Sequence, residues 1–175
     1  MTGFACLTAL GAVVQIPIGP VPITLQVLFV LLSGLVLGSR LGAFSQVEYL
    51  AAGFAGAPIF AGGKAGFVAL LGPTGGYLVG FVLGAYLAGR VAESVARPGR
   101  IRFFLAGLLG TAGIYLCGAT WLATWFAVAN GTNWAAELHN AWTAGVLPFI
   151  ALDTAKALAA SAVTLSGRSL AVRFR

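Results

Sequence analysis

Apolar residues dominate long stretches of the chain, and the few polar ones fall mostly at the breaks. Six runs are predicted as membrane helices: 3–16, 23–37, 41–57, 75–92, 103–127 and 143–166. An upright crossing needs ~20 residues, so the first run is short for a full span. Gln15 to Pro22 holds three prolines, which end the first helix and predict a tight extramembrane or re-entrant loop. Arg40 marks a short loop between the second and third runs. Pro98-Gly99, among Arg90, Glu93, Arg97, Arg100 and Arg102, predicts a polar turn. Residues 128–142 read as a polar and aromatic connection, with Trp134 and Trp142 suited to an interfacial belt and His139 to a solvated loop.

Residues 58–73 are too broken by glycine and proline for a crossing helix and too apolar for a surface loop. Such backbone is tolerated at membrane depth where protein covers it or it lines a cavity, so a partly re-entrant lid or pocket wall is expected. Thr74 follows Pro73 as a candidate N-cap for the fourth span. Gly72, Gly76, Gly80 and Gly84 form a close-packing stripe, and Gly34, Gly38 and Gly42 form another. The Gly75 and Gly76 amides at a helix start could also receive an anion. Ala5-x-x-x-Ala9 is a small-residue stripe with two readings, bundle packing or docking to another membrane subunit.

Composition agrees with this pattern. The 175 residues are 59% hydrophobic and 8% charged, against ~25% charged in soluble domains. The fold class expected is an all-α integral membrane protein, a single six-helix bundle over 1–175 with no soluble domain left over. The +6 charge does not indicate nucleic acid, because the basic residues sit at helix ends. Cys6 and Cys117 lie in apolar runs and are expected to pack as small residues. The chain begins almost directly in a helix without a basic leader, so a longer native leader is expected to be missing. Eight of ten Lys and Arg fall on one side of a six-span topology, Lys64 alone on the other, and Lys156 inside. The positive-inside rule then puts both termini in the cytoplasm of a multi-pass inner-membrane protein. The three-proline loop, 58–73 and the Trp-bearing connection fall outside, above the same bundle end as Pro148.

Asp153 and Lys156 are the chemistry inside the core. Three residues apart, they share one helix face. Each alone would cost roughly 2.5–3.5 kcal/mol at the bilayer centre. Either they neutralise each other and fix packing, or they face a cavity and hold a polar ligand. Gln26 is the strong polar group of the second span. Glu48 is a second intramembrane acid, either partner to a basic group or part of a proton relay. There is no G-x-x-x-x-G-K-[ST] loop, no His/Cys cluster and no nucleophile–base set, so neither ATP hydrolysis nor enzyme chemistry is expected, and no cofactor or metal. No internal repeat is visible, which argues against many secondary-transporter folds.

Val21-Pro22-Ile23-Thr24-Leu25-Gln26, Phe60-Ala61-Gly62-Gly63, Leu71-Gly72-Pro73-Thr74-Gly75-Gly76-Tyr77-Leu78 and Pro148-Phe149 through Asp153-x-x-Lys156 together resemble the BioY family, over nearly the whole chain. BioY proteins are biotin-specific S components of energy-coupling factor (ECF) vitamin transporters. The resemblance implies biotin capture from outside, and coupling to a transmembrane T subunit and two cytoplasmic ATPase subunits. It implies that Asp153 and Lys156 bind ligand, and that Ala5 and Ala9 match the T-subunit docking motif. Two residues depart from the family pattern. Lys64 stands where a small polar residue, often Asn, is expected, and Glu48 lies in a stretch that usually reads apolar.

The chemistry fits biotin. Its ureido head offers two N–H donors and a carbonyl, which an ionised Asp and a Lys can meet, and its tail is a carboxylate. Phe60, Phe67 and Tyr77 are candidate apolar walls. Gln26, Tyr49, Lys64 and Thr74 complete the candidate binding set. Which end of biotin meets Asp153 and Lys156 stays open. The alternative function is a self-sufficient proton-coupled carrier with Glu48 and Asp153 as relay groups.

Overall fold

The structure is a computed structural model that describes residues 1–95 and 98–173, and of 168–173 the helical backbone only. Arg97 and Arg175, and the side chains of Arg168 and Arg173, therefore lie outside the described residues of the orientation argument. The six predicted spans correspond to α1 (Thr2–Val13), α2 (Gln26–Leu37), α3 (Ser39–Phe54), α5 (Gly75–Glu93), α6 (Arg100–Asn130) and α8 (Ile150–Arg173). Between them lie a short helix, α4 (Val68–Leu71), and a seventh larger one, α7 (Trp134–Gly145). The chain is an all-helical membrane protein, with a two-stranded hairpin and an isolated antiparallel bridge as the strand pairing among the described residues. Gly75–Glu93, Arg100–Asn130 and the Trp134–Gly167 stretch are long and apolar enough to cross a membrane, while α1 and α2 are apolar but have 12 residues each.

Four boundaries depart from expectation, each for a local reason. The first helix stops at Val13 because Gln15–Ile16 (β1) leaves it to pair antiparallel with Ile23–Thr24 (β2), Gln15 opposite Thr24. The three prolines sit around the turn of this hairpin, where their missing N–H groups are not needed for the ladder. The loop expected at Arg40 is a single residue. Gly38, at φ +87°, turns the chain directly from α2 into α3, a conformation that favours glycine. The Glu93 carboxylate, from the end of α5, accepts hydrogen bonds from the Ser39 amide at 2.8 Å and the Ser39 hydroxyl at 2.7 Å. It thereby satisfies the buried start of α3 from another helix.

The expected connection at 128–142 is instead largely α7. Asn133 caps it, its side chain accepting from the Ala136 amide at 2.9 Å. Glu137 is buried one turn in and accepts from Asn130, Thr132 and Asn140 at 2.7–3.0 Å, tying α7 to the end of α6. Trp134, Trp142 and His139 are exposed. The last span begins later than expected, because Leu147–Phe149 forms a 3-10 turn before α8.

Glycine stripes hold the bundle together. A Cβ at Gly76 would overlap Trp121 and the Cys117 carbonyl, and one at Gly84 would strike Ile114 and the Gly110 carbonyl. The backbones of α5 and α6 therefore touch. Gly34 meets α5 at Ala85 and Gly89 in the same way, and Gly42 meets Gly34. Gly72 is outside this stripe, in the turn before α5, where its carbonyl accepts from the Trp121 indole at 2.9 Å. The Gly75 amide is used internally, donating to the Gly72 carbonyl at 3.1 Å, and Gly75 and Gly76 are buried, so the expected anion site is closed.

Candidate ligand-binding site

A cavity of about 630 Å³, counting its opening, lies at the bundle end that carries the hairpin, the 58–73 segment and the start of α8. The 3-10 turn sets Phe149 in its wall, and α8 then brings Asp153 and Lys156 in from its first turns. The Lys156 ammonium donates to Asp153 Oδ1 at 2.6 Å, and both are buried, Asp153 at 1% exposure and Lys156 at 9%. Tyr115, from the middle of α6, donates its hydroxyl to Asp153 Oδ2 at 2.7 Å. Both carboxylate oxygens thus have a partner, as a buried charge requires. Asp153 also sits in the first turn of its helix, where the dipole favours an anion.

The opposite wall is polar in a different way. Gln26, at the first turn of α2, is buried. Its amide oxygen accepts from Thr24 at 3.1 Å, and its amide nitrogen donates to the Tyr49 hydroxyl at 2.7 Å. Tyr49 in turn donates to the Ile59 carbonyl at 3.2 Å. It holds Gln26 from behind and does not line the cavity. Tyr77 does line it, with its hydroxyl anchored on the Gly145 carbonyl at 2.7 Å.

The 58–73 segment contributes a wall, as expected. Phe60 and Lys64 bridge antiparallel across a turn in which Gly62 and Gly63 have φ +77° and +68°. Phe60, Ala61, Lys64 and Ala69 reach the cavity.

Of the expected binding residues, the structure brings Asp153, Lys156, Lys64, Tyr77, Thr74, Gln26 and Phe60 around one space. Thr74 occupies the N-cap position of α5, but its side chain makes no cap bond. Phe67 is a correction: it is 67% exposed and stacks on Phe54 at 5.0 Å, outside the cavity. Tyr49 is the second correction, being a support rather than a wall.

Glu48 does not line the cavity, so it does not meet Asp153 there. Its Oε2 is buried without a hydrogen-bond partner, and among the described residues it makes no ion pair, which goes against the basic-partner alternative. On α1, Ala5 is buried in the chain's own core and Ala9 is half-buried beside it. That burial is what the packing alternative expects, and Ala9 alone keeps an open edge. Cys6, expected as a packing residue, is exposed.

Sequence reasoning missed Tyr115, Thr24, Phe81, Ile114 and Phe149. Thr24 and Phe149 lay within the family-like runs and could have been taken from them. Tyr115 offered no such signal.

Fold and site together define an all-helical membrane protein with a largely apolar cavity that is lined by a buried acid–base pair, a further lysine and a few amides and hydroxyls. The chain belongs to the BioY family, which it matches over residues 1–173. It is 42% identical over 165 residues to a probable biotin transporter BioY of Pyrococcus horikoshii, covering 94% of this chain and 90% of that one. It is 37% identical over 169 residues to the biotin transporter BioY of Thermotoga maritima, covering 97% and 94%. A solved structure, the S-component for biotin from an ECF-type ABC transporter, superposes with a TM-score of 0.81 at 25% identity, covering 96% of this chain and 88% of that one.

Proposed function

We propose that the chain is a biotin-binding S component of an ECF-type ABC transporter and captures biotin for uptake across the cell membrane. The observation that carries this is the buried Asp153–Lys156 pair, held by Tyr115 and lining a largely apolar cavity. A pair used only for packing has no need of a cavity beside it. Carboxylate and ammonium side by side offer an acceptor and a donor together, which matches a ureido group with its N–H donors and carbonyl. Family membership and the likeness to the solved biotin S-component support the same ligand.

The cavity holds no nucleotide-binding loop, so the energy for uptake comes from elsewhere. In this proposal a transmembrane T subunit and two cytoplasmic ATPase subunits supply it. Both termini lie in the cytoplasm, and the cavity end faces outward. The T subunit docks on α1 beside Ala9, where Cys6, Leu10 and Val13 are also exposed. Ala9→Trp is expected to keep biotin binding while losing co-purification with the T subunit. Normal assembly in that variant would move the docking surface off this strip.

The ligand test is a thermal-shift series on the detergent-purified chain with biotin, thiamine and riboflavin. Binding to the folded state raises the melting temperature by mass action. Biotin alone is expected to do so. A shift with another vitamin and none with biotin would end the proposal.

A further inference from the structure

The cavity holds two lysines in opposite electrostatic states. Lys156 is buried and already neutralised by Asp153 at 2.6 Å. Lys64 is exposed at the cavity mouth, and among the described residues its ammonium has neither an ion pair nor a hydrogen bond. One acid and two cations line the space, so its single unbalanced charge sits on Lys64.

The backbone holds this lysine where it is. The Phe60 amide donates to the Lys64 carbonyl at 3.1 Å, and the Gly63 amide donates to the Phe60 carbonyl at 3.0 Å, closing the turn. Residues opposite each other in such a bridge present their side chains on the same face. Phe60 is a buried wall of the cavity, and Lys64 stands beside it at the rim.

Taking biotin as the ligand, as proposed above, we infer that Lys64 binds its carboxylate at the cavity mouth, so that the neutral ureido head goes in first, against Asp153, Lys156 and Tyr115. A carboxylate placed at Lys156 would share that ammonium with Asp153. Two carboxylates on one site disfavour each other, most strongly away from water. A carboxylate also has no donor to offer the Asp153 oxygens, whereas a ureido N–H has. At Lys64 the tail meets an uncommitted cation and keeps part of its hydration.

Lys64 is thus a specificity-determining residue that distinguishes a charged tail from a neutral one. The test is calorimetric titration of the purified chain with biotin and with its neutral carboxamide. The wild type is expected to prefer biotin by about tenfold, in keeping with charge-assisted hydrogen bonds being roughly twice as strong as neutral ones. Lys64→Gln should remove that preference by weakening biotin while leaving the carboxamide within about twofold. Lys64→Arg, which keeps the charge, should keep the preference, and added salt should narrow it. If Lys64→Gln keeps the wild-type preference and Lys156→Met erases it, the ligand lies the other way round and the inference falls, though biotin remains the ligand. A wild-type chain that binds neither compound removes the proposed function and this inference with it.

Discussion

Replacing Asp153 by Asn separates a packing pair from a ligand site. The substitution is isosteric, so it opens no cavity. It strands the Lys156 ammonium, which at 9% exposure has little water to turn to. Breaking one side of a buried pair typically costs ~3–5 kcal/mol, because the remaining charge is uncompensated. Asp153→Asn alone is therefore expected to lower thermal stability and biotin affinity together, and on its own it decides nothing. The second variant is the double substitution Asp153→Asn with Lys156→Met. It removes both charges at similar volume, and Tyr115 can still donate to the Asn oxygen. Replacing a whole buried pair with uncharged groups is often neutral for stability. The double variant should therefore melt near wild type. If the pair holds the ligand, affinity should stay down by roughly 10²-fold or more, since ~3 kcal/mol is about that factor. The assay is thermal shift without ligand, followed by calorimetric titration with biotin on protein shown to be folded. A double variant with wild-type stability and wild-type affinity would refute the binding role and leave the pair as packing.

Three further outcomes follow from the same geometry. Tyr115→Phe removes one hydrogen bond to a charged oxygen, worth ~1.5–3 kcal/mol, and should weaken biotin binding by at least about tenfold in a titration while the chain still folds. Phe67→Ala should leave biotin affinity within about twofold in the same titration, because this ring lies outside the cavity. A cysteine at Thr132 should react with an impermeant thiol reagent in intact cells and one at Ser94 should not, once the native Cys6 and Cys117 are replaced; the reverse pattern would invert the orientation.

What could be seen in the sequence was set by how local each feature is. Asp153 and Lys156 were legible because an acid and a base three apart in an apolar run have few explanations. The segment 58–73 was legible because glycine and proline exclude a helix in residues too apolar for a surface. Tyr115 was not. A tyrosine in an apolar helix usually packs, and its bond to Asp153 spans 38 positions and depends on how α6 meets α8. Phe67 failed the other way. Its neighbourhood was identified correctly, but in irregular backbone no period says which side chains turn inward. The helix α7 was hidden by its tryptophans and asparagines, although Asn133 is a sound helix start and caps it.

The position of the cavity follows from a mismatch of lengths. At 1.5 Å per residue, the 12 residues of α1 or α2 cover ~18 Å, against ~30 Å of hydrocarbon. The 31 residues of α6 cover ~46 Å on the same rise. At the Glu93 end the bundle is closed by direct helix contact, with Gly89 against Ser39 and Gly34 against α5. The shortfall therefore has to be made up at the other end. Irregular backbone there survives only if its polar groups are paired or covered. The β1–β2 hairpin pairs its own, the Phe60–Lys64 bridge does the same, and the Gly66 amide donates to the Gly53 carbonyl at 2.8 Å. Turns of this kind cannot interdigitate as tightly as the glycine stripes below them, so space is left between them and the long helices. The residues that border that space come from five separate parts of the chain, and the charges among them are Asp153, Lys156 and Lys64. The short helices thus create the room, and α6 and α8, which run long enough to reach it, supply Tyr115, Asp153 and Lys156.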